Sequence, residues 1–327
     1  MNKKTLIGWV ASTIVMLALT ILLLSLGDIS LSFGQVLQAL FGGGDRIASI
    51  VVWKMRLPYV AAALITGACL AASGLLLQTL THNALVDSSI LGVNAGASLG
   101  AVLLITLGAS IRGFATDTWL PLAAVLGACL SLALVAGQKG TGSRLQLLLR
   151  GVALTALLNG VILMLQLNMN SFAFDRVLVW LSGSFWNVDW VFLRHYGLAA
   201  IALIVIVFAL IRPLGMLVLG DDMAAASGVN VTKLKRGTLL LAIALAAVAV
   251  TVGGAISLVG LMAPNIAKHW CGHRFAALLP VTIMVGEAIM LLATIVANNL
   301  FLPALLPVGL VVAVITMPYF LFLLFQQ

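Results

Sequence analysis

Few residues in this 327-residue chain have side chains suited to chemistry, and their spacing narrows the choice further. His269 and His273 stand four apart and flank Cys271, a spacing that can present metal ligands together. The set lacks a fourth ligand and lies beside Lys268 and Arg274, so no metal site is expected there. Cys69, Cys129 and Cys271 are far apart, in or beside apolar runs, and read as small buried residues rather than a disulfide set. No nucleophile–base pair is evident and no two carboxylates share an apolar run, so the chain is not expected to be an enzyme and no catalytic residue is assigned. A Gly-x-x-x-x-Gly-Lys-Ser/Thr phosphate loop is absent, so any ATP and Mg used with this chain belong to a partner ATPase, and no cofactor is expected in the chain itself. Glu287 is the one acid deep in an apolar run. A carboxylate there is costly and serves either ion coupling or a bond to a neighbouring helix.

The elements that hold these residues are set by composition. Hydrophobic residues make up 63% of the chain and charged residues 8%, against roughly 25% charged in soluble domains. Mean hydropathy is +1.21. Such a chain has too little polar surface to face water alone, which excludes a soluble enzyme and a disordered tail. Ten apolar runs are read as spans at about 6–26, 57–80, 93–110, 119–137, 147–168, 191–212, 236–256, 259–271, 277–299 and 306–325. The fold class is thus an all-α, polytopic helical bundle in a membrane. The eighth run is shorter than the roughly 20 residues a straight crossing needs, so it is expected to be partial or buried in protein. The first run follows Lys3 and Lys4 without a convincing cleavage site and is read as an uncleaved span.

The net charge of +8 is explained by short basic loops rather than by a nucleic-acid partner. With the N-terminus inside, eleven Lys and Arg fall on the inner side and six on the outer, accounting for all 17, which favours N-in and C-in. Three longer polar stretches remain: outer 27–56, outer 169–190 and inner 213–236. In the last, Gly220 precedes Asp221 and Asp222, acids suited to a helix start, and Gly228 can close a short helix. A second turn is expected at 232–236. The segment is either a contact for a soluble partner or a solvated connection. Gln166, Asn168, Asn170 and Ser171 can line a pathway or bond across helices. Trp180, Trp186 and Trp190 read as interfacial anchors.

Several blocks, in order over residues 53–320, resemble the FecCD family of ABC importer permeases, which includes the cobalamin importer permease. They are Arg56-Leu57-Pro58, then Gly67-Ala68-x-Leu70-Ala71-x-Ser73-Gly74 through Gln78, and Asn83-Ala84-Leu85-Val86-Asp87-Ser88-x-Ile90-Leu91-Gly92-Val93 with Gly96-Ala97. Next come Trp180-Leu181-Ser182-Gly183-Ser184, Gly220-Asp221-Asp222-x-Ala224 to Gly228-Val229, Gly254 to Gly260 with Pro264, and Leu306-Pro307-Val308-Gly309 with Pro318-x-Phe320. The chain departs from the family pattern at Ala84 and Ser88 (both usually Pro), Ala255 (Pro), Asn265 (His), Thr294 and Asn298 (Asp and Arg), Leu305 (Glu) and Tyr59 (Arg).

The resemblance implies a type II importer permease resembling the cobalamin one, a single membrane domain over 1–327 with a cytoplasmic coupling segment at about 213–236. It implies a second permease subunit, identical or a sister chain, two cytoplasmic ATPase subunits and an extracytoplasmic binding protein, in the bacterial cytoplasmic (inner) membrane. The cargo it favours is an iron–siderophore or similar metal chelate, with haem or cobalamin as alternatives. By resemblance, Gly220, Asp221, Asp222, Ala224, Gly228, Lys233, Lys235 and Arg236 belong to the ATPase-coupling segment, with Ala224 and Gly228 allowing close approach. Arg56 matches a family arginine that docks the binding protein, supplemented by Lys54 and Arg46. The rival class is an ion-coupled secondary transporter using Glu287.

Overall fold

The computed structural model describes residues 3–27, 29–108, 116–136, 144–185, 188–300 and 305–325. Arg112, Lys139 and Trp186, used above for orientation and anchoring, lie outside the described residues. The described residues form helices and connections, without a strand. They are α1 (Lys3–Ser25), α2 (Phe33–Leu40), α3 (Arg46–Ile50), a π-helical stretch (Val51–Arg56), α4 (Leu57–Thr81), α5 (Val93–Gly108), α6 (Thr116–Ala136) and α7 (Arg144–Gln166). There follow α8 (Ser171–Leu181), α9 (Trp190–Ala209), α10 (Ile211–Val218), α11 (Asp221–Ala226), α12 (Val231–Gly253), α13 (Val259–Cys271), α14 (Phe275–Asn299) and α15 (Val308–Phe325).

Each of the ten apolar runs is a helix. Among the described residues, six helical stretches are long and apolar enough to cross a membrane, and three shorter apolar helices lie in α5, α6 and α15. The short eighth run is α13, with 13 residues. All three polar stretches carry more helix than expected, and the stretch 169–190 holds α8. The outer segment 27–56 contains α2 and α3, and α3 runs through the π-helical stretch into α4 as one 36-residue helix, Arg46–Thr81. The inner segment holds α10, whose Leu214 and Leu217 are buried, and residues 232–236 are the first turns of α12 rather than a separate turn.

Local chemistry explains several helix starts. Ser32 and Gln35 form a reciprocal capping box at α2. Asn170, Asp189 and Asn230 accept backbone N–H bonds at the starts of α8, α9 and α12. The outer segment is tied back by two tryptophans: Trp53 Nε1 donates to the Ala39 carbonyl, and Trp190 Nε1 donates to the Trp53 carbonyl.

Packing places α4 and α12 at the centre, with 83% and 72% of their apolar windows buried, while the α1 and α7 windows are each 17% buried. α4 lies against α12, α13 and α14, and α5 lies along α6. These pairs approach through small residues, among them the Gly and Ala of 67–74. A Cβ on Gly67 would fall 2.5 Å from the Gly286 carbonyl oxygen, and one on Gly96 would fall 2.5 Å from that of Gly127. One apolar core extends from Leu23 to Val312.

Candidate functional site at the break between α12 and α13

The α12 helix stops at Gly253, and the chain restarts as α13 at Val259. Two residues in the break have left-handed backbone: Gly254 with φ +75° and Leu258 with φ +70°. For Leu258 this conformation costs roughly 1–2 kcal/mol, so the surroundings must hold it.

Segments far apart in sequence meet here. Gly254 abuts the turn after α8, where a Cβ on it would come 2.6 Å from the Trp180 carbonyl oxygen. Gly183 in that turn packs against Ile256 and Gly309, and its carbonyl accepts the Gly309 N–H at 3.0 Å. Asn94 Nδ2, in the first turn of α5, donates to the Ile256 carbonyl at 3.0 Å, and the Leu258 N–H donates to Asp87 Oδ2 of the loop 82–92 at 3.2 Å. On the α4 side, a Cβ on Gly74 would fall 1.9 Å from the Gly260 oxygen. The blocks at 67–78, 83–97, 180–184, 254–264 and 306–309 are therefore one three-dimensional cluster.

Below the break a polar seam follows α13. Gln78 Nε2 donates to the Gly260 and Leu261 carbonyls, and Lys268 Nζ donates to Gln78 Oε1 at 2.8 Å. Asn265 Nδ2 donates to the Ala84 carbonyl at 2.9 Å, joining two of the positions where this chain departs from the family pattern. His269 Nδ1 contacts the Asn265 carbonyl of its own helix, and Cys271 is buried. Beside the break lies a cavity of about 520 Å³ lined by Asp175, Arg176, Trp180, Ser184, Thr251 and Gly254 among others. Its walls come from α5, α6, α8, α9 and α12.

The other expected residues fall in separate places. At the inner segment, Asp222 and Lys233 are exposed, and Lys235 pairs with Asp221 at 2.5 Å, so Lys235 is engaged within the chain. Ala224 corrects the expectation of close approach to a partner: it is fully buried inside the chain, because α11 turns that face onto its own neighbours α10 and α12. Asp222, Met223, Ala225 and Ala226 are the exposed residues of that helix. Gly220, Gly228 and Gly237 have open space around them.

At the outer segment, Arg46 and Lys54 are exposed. Arg56 is engaged internally: its guanidinium donates to the Leu24 carbonyl at 2.6 Å and to the Ile29 carbonyl, fastening the end of α1 to the start of α4. Of the pathway residues, Asn170 caps α8 and Asn168 Nδ2 donates to the Met164 carbonyl, so both serve local backbone, while Gln166 is half-buried and Ser171 exposed. Glu287 lies where α14 meets α4, its backbone within 2.8 Å of where a Gly67 Cβ would stand.

The bonds of Asp87, Asn94 and Asn265 at the break were hidden in the sequence, where Asp87 is one letter of a loop block, Asn265 one departure from a family pattern and Asn94 is not singled out. One signal was available: 82–92 contains no Lys or Arg, unlike the basic connections at 212, 233–236 and 268–274, which fits a loop withdrawn from headgroups.

The arrangement is that of a membrane permease with a broken helix at its centre. The profile of the FecCD transport family matches residues 15–326, and the chain belongs to that family. It is 36% identical over 300 residues to the iron(3+)-hydroxamate import system permease protein FhuG of Bacillus subtilis, covering 89% of this chain and 88% of that one. It is 34% identical over 296 residues to the achromobactin transport system permease protein CbrC of Dickeya dadantii, covering 90% and 84%. A solved inward-facing structure, assigned to the metal-chelate type of ABC transporter, superimposes with a TM-score of 0.86 at 30% identity, covering 98% of this chain and 99% of that one. The chain is accordingly a multi-pass membrane protein of a transport family, with ATP hydrolysis carried by a separate subunit.

Proposed function

We propose that this chain is the permease subunit of an ATP-driven ABC importer in the bacterial cytoplasmic membrane, moving an iron–siderophore or similar metal chelate inward without covalent change. The observation that supports this most is the likeness over nearly the whole chain, in sequence and backbone, to proteins of iron and metal-chelate import. In this reading the chain works as one permease unit beside a second permease subunit. The apolar exposed faces of α7 and α8, with Leu157, Met164 and Phe172, are the surface available to lipid and to that subunit. Two ATPase subunits, which hold ATP and Mg, meet the exposed side of α11 and the first turns of α12. An extracytoplasmic binding protein meets the outer segment, where Arg46 and Lys54 supply charge.

The test is affinity purification of the chain from its own membranes, with mass identification of what comes with it. The expected result is an ATPase subunit, a second permease copy or sister chain, and an iron chelate after loading with the binding protein. A purified chain that binds and moves its cargo with no ATPase attached would overturn the proposal. Haem or cobalamin in place of the siderophore would correct the cargo alone.

A further inference from the structure

The side chain of Asp87 is the buried acid at the break, and nothing said so far gives it a task in transport. It is 2% exposed, in a loop whose Val86, Ser88 and Leu91 are buried as well. Its Oδ2 accepts the Leu258 N–H at 3.2 Å and the Ser89 hydroxyl at 3.1 Å. Its Oδ1 has no hydrogen-bond donor and is turned against Gly260, where an added Cβ would stand 2.3 Å away. A carboxylate withdrawn from water is held at a cost, which the nearby Ser88 and Ser89 backbone N–H groups lessen. The start of α13 offsets that cost, because unpaired N–H groups and the helix dipole favour negative charge there. In return, the bond fixes the N–H of Leu258, a bulky residue held at φ +70°.

The two ends of this bond belong to different connections of the bundle. The loop 82–92 joins α4 to α5. Leu258 ends the break after α12, a helix that begins at Val231 beside α11, where the two elements touch. A displacement at the segment 213–236 would therefore travel along α12 as far as Gly253, at the edge of the break. We propose that Asp87 is a positioning residue for transport: it clasps the first turn of α13 and holds Leu258 in its left-handed conformation, so that movement of α12 is delivered to the centre of the permease instead of being lost in the break. This rests on the reading of the chain as an ATP-coupled permease.

The experiment uses the complete complex in lipid, with its ATPase and binding protein, and has two readouts. The first is hydrogen–deuterium exchange of the peptide 254–262, which does not depend on the cargo. Asp87→Ala should speed exchange there by about tenfold. The second is ferric chelate moved per ATP hydrolysed. Asp87→Ala should lower that ratio by about fivefold or more, whereas Asp87→Asn, which keeps an oxygen for the Leu258 N–H, should keep most of it. Adding Leu258→Gly to Asp87→Ala removes the penalty on the left-handed conformation and should restore most of the ratio. A general packing defect would not be repaired by creating a glycine. If Asp87→Ala does not assemble, the double variant is still expected to assemble and transport, and its failure to do so overturns the clasp. Unchanged exchange or an unchanged ratio in Asp87→Ala also overturns it. A wild-type complex that carries no ferric chelate, yet shows the exchange difference, counts against the proposed function and not against the clasp.

Discussion

Gly74 and Gly260 sit against each other so closely that a methyl group on either meets backbone or a carboxylate, and this contact sets how near α4 and α13 can lie. Gly74→Ala must push two buried helices apart, and overpacking of that kind costs about 1–3 kcal/mol. We expect a clearly lower thermal unfolding midpoint in lipid nanodiscs for this variant. Gly160→Ala is the control: nothing stands within 4 Å of its added Cβ, and its midpoint should be unchanged or higher. The close packing of the 67–74 glycines was legible in the sequence, because small residues at helical spacing in an apolar run have few other uses. The hydrogen bonds of Arg56 and Asp87 were not. Both depend on which distant carbonyl or N–H the fold brings within reach, and neighbouring residues carry no record of that. Arg56 is a fastening for α1, so Arg56→Ala is expected to loosen the outer segment, seen as faster protease cleavage within 27–56, whether or not a binding protein is present.

Short helices within 213–236 show the same limit at the scale of elements. Gly220, the two acids after it and Gly228 announced a helix, and α11 occupies Asp221–Ala226. Which of its faces is free could not be read from six residues, since amphipathic patterning needs more than two turns to show. The structure buries Ala224 and exposes Ala225, which separates two substitutions that look alike in sequence. Ala225→Trp should release the ATPase or uncouple uptake from hydrolysis while the permease stays folded, measured by co-purification and by uptake per ATP. Ala224→Trp should instead destabilise the permease itself by about 1–3 kcal/mol, measured by thermal unfolding without the ATPase. The long spans were readable because a membrane demands about 20 apolar residues per crossing. The helices of the outer segment were missed because α2 and α3 are short and polar-flanked, and their order comes from tryptophan ties to other elements.

Over the whole molecule, the blocks that mark the family have a physical reason to be where they are. Widely separated in sequence, they converge on the break between α12 and α13, where close backbone contact requires glycine and a discontinuous helix requires polar partners. Docking from outside is a different kind of interaction, governed by exposed charge. Combined Arg46→Glu and Lys54→Glu should slow association of the binding protein at low salt and have little effect at high salt, measured by surface-immobilised complex in lipid. Equal association at both salt concentrations would place docking elsewhere. The central claim is that ATP, through another subunit, drives a metal chelate through this chain. Its most direct test is uptake of radiolabelled ferric siderophore by proteoliposomes holding the complete complex with ATP on the ATPase side. The account predicts uptake that requires ATP and the binding protein, persists when ion gradients are collapsed by ionophores, and survives Glu287→Gln. Uptake that proceeds without ATP, stops when the ion gradient is collapsed and is abolished by Glu287→Gln would contradict it.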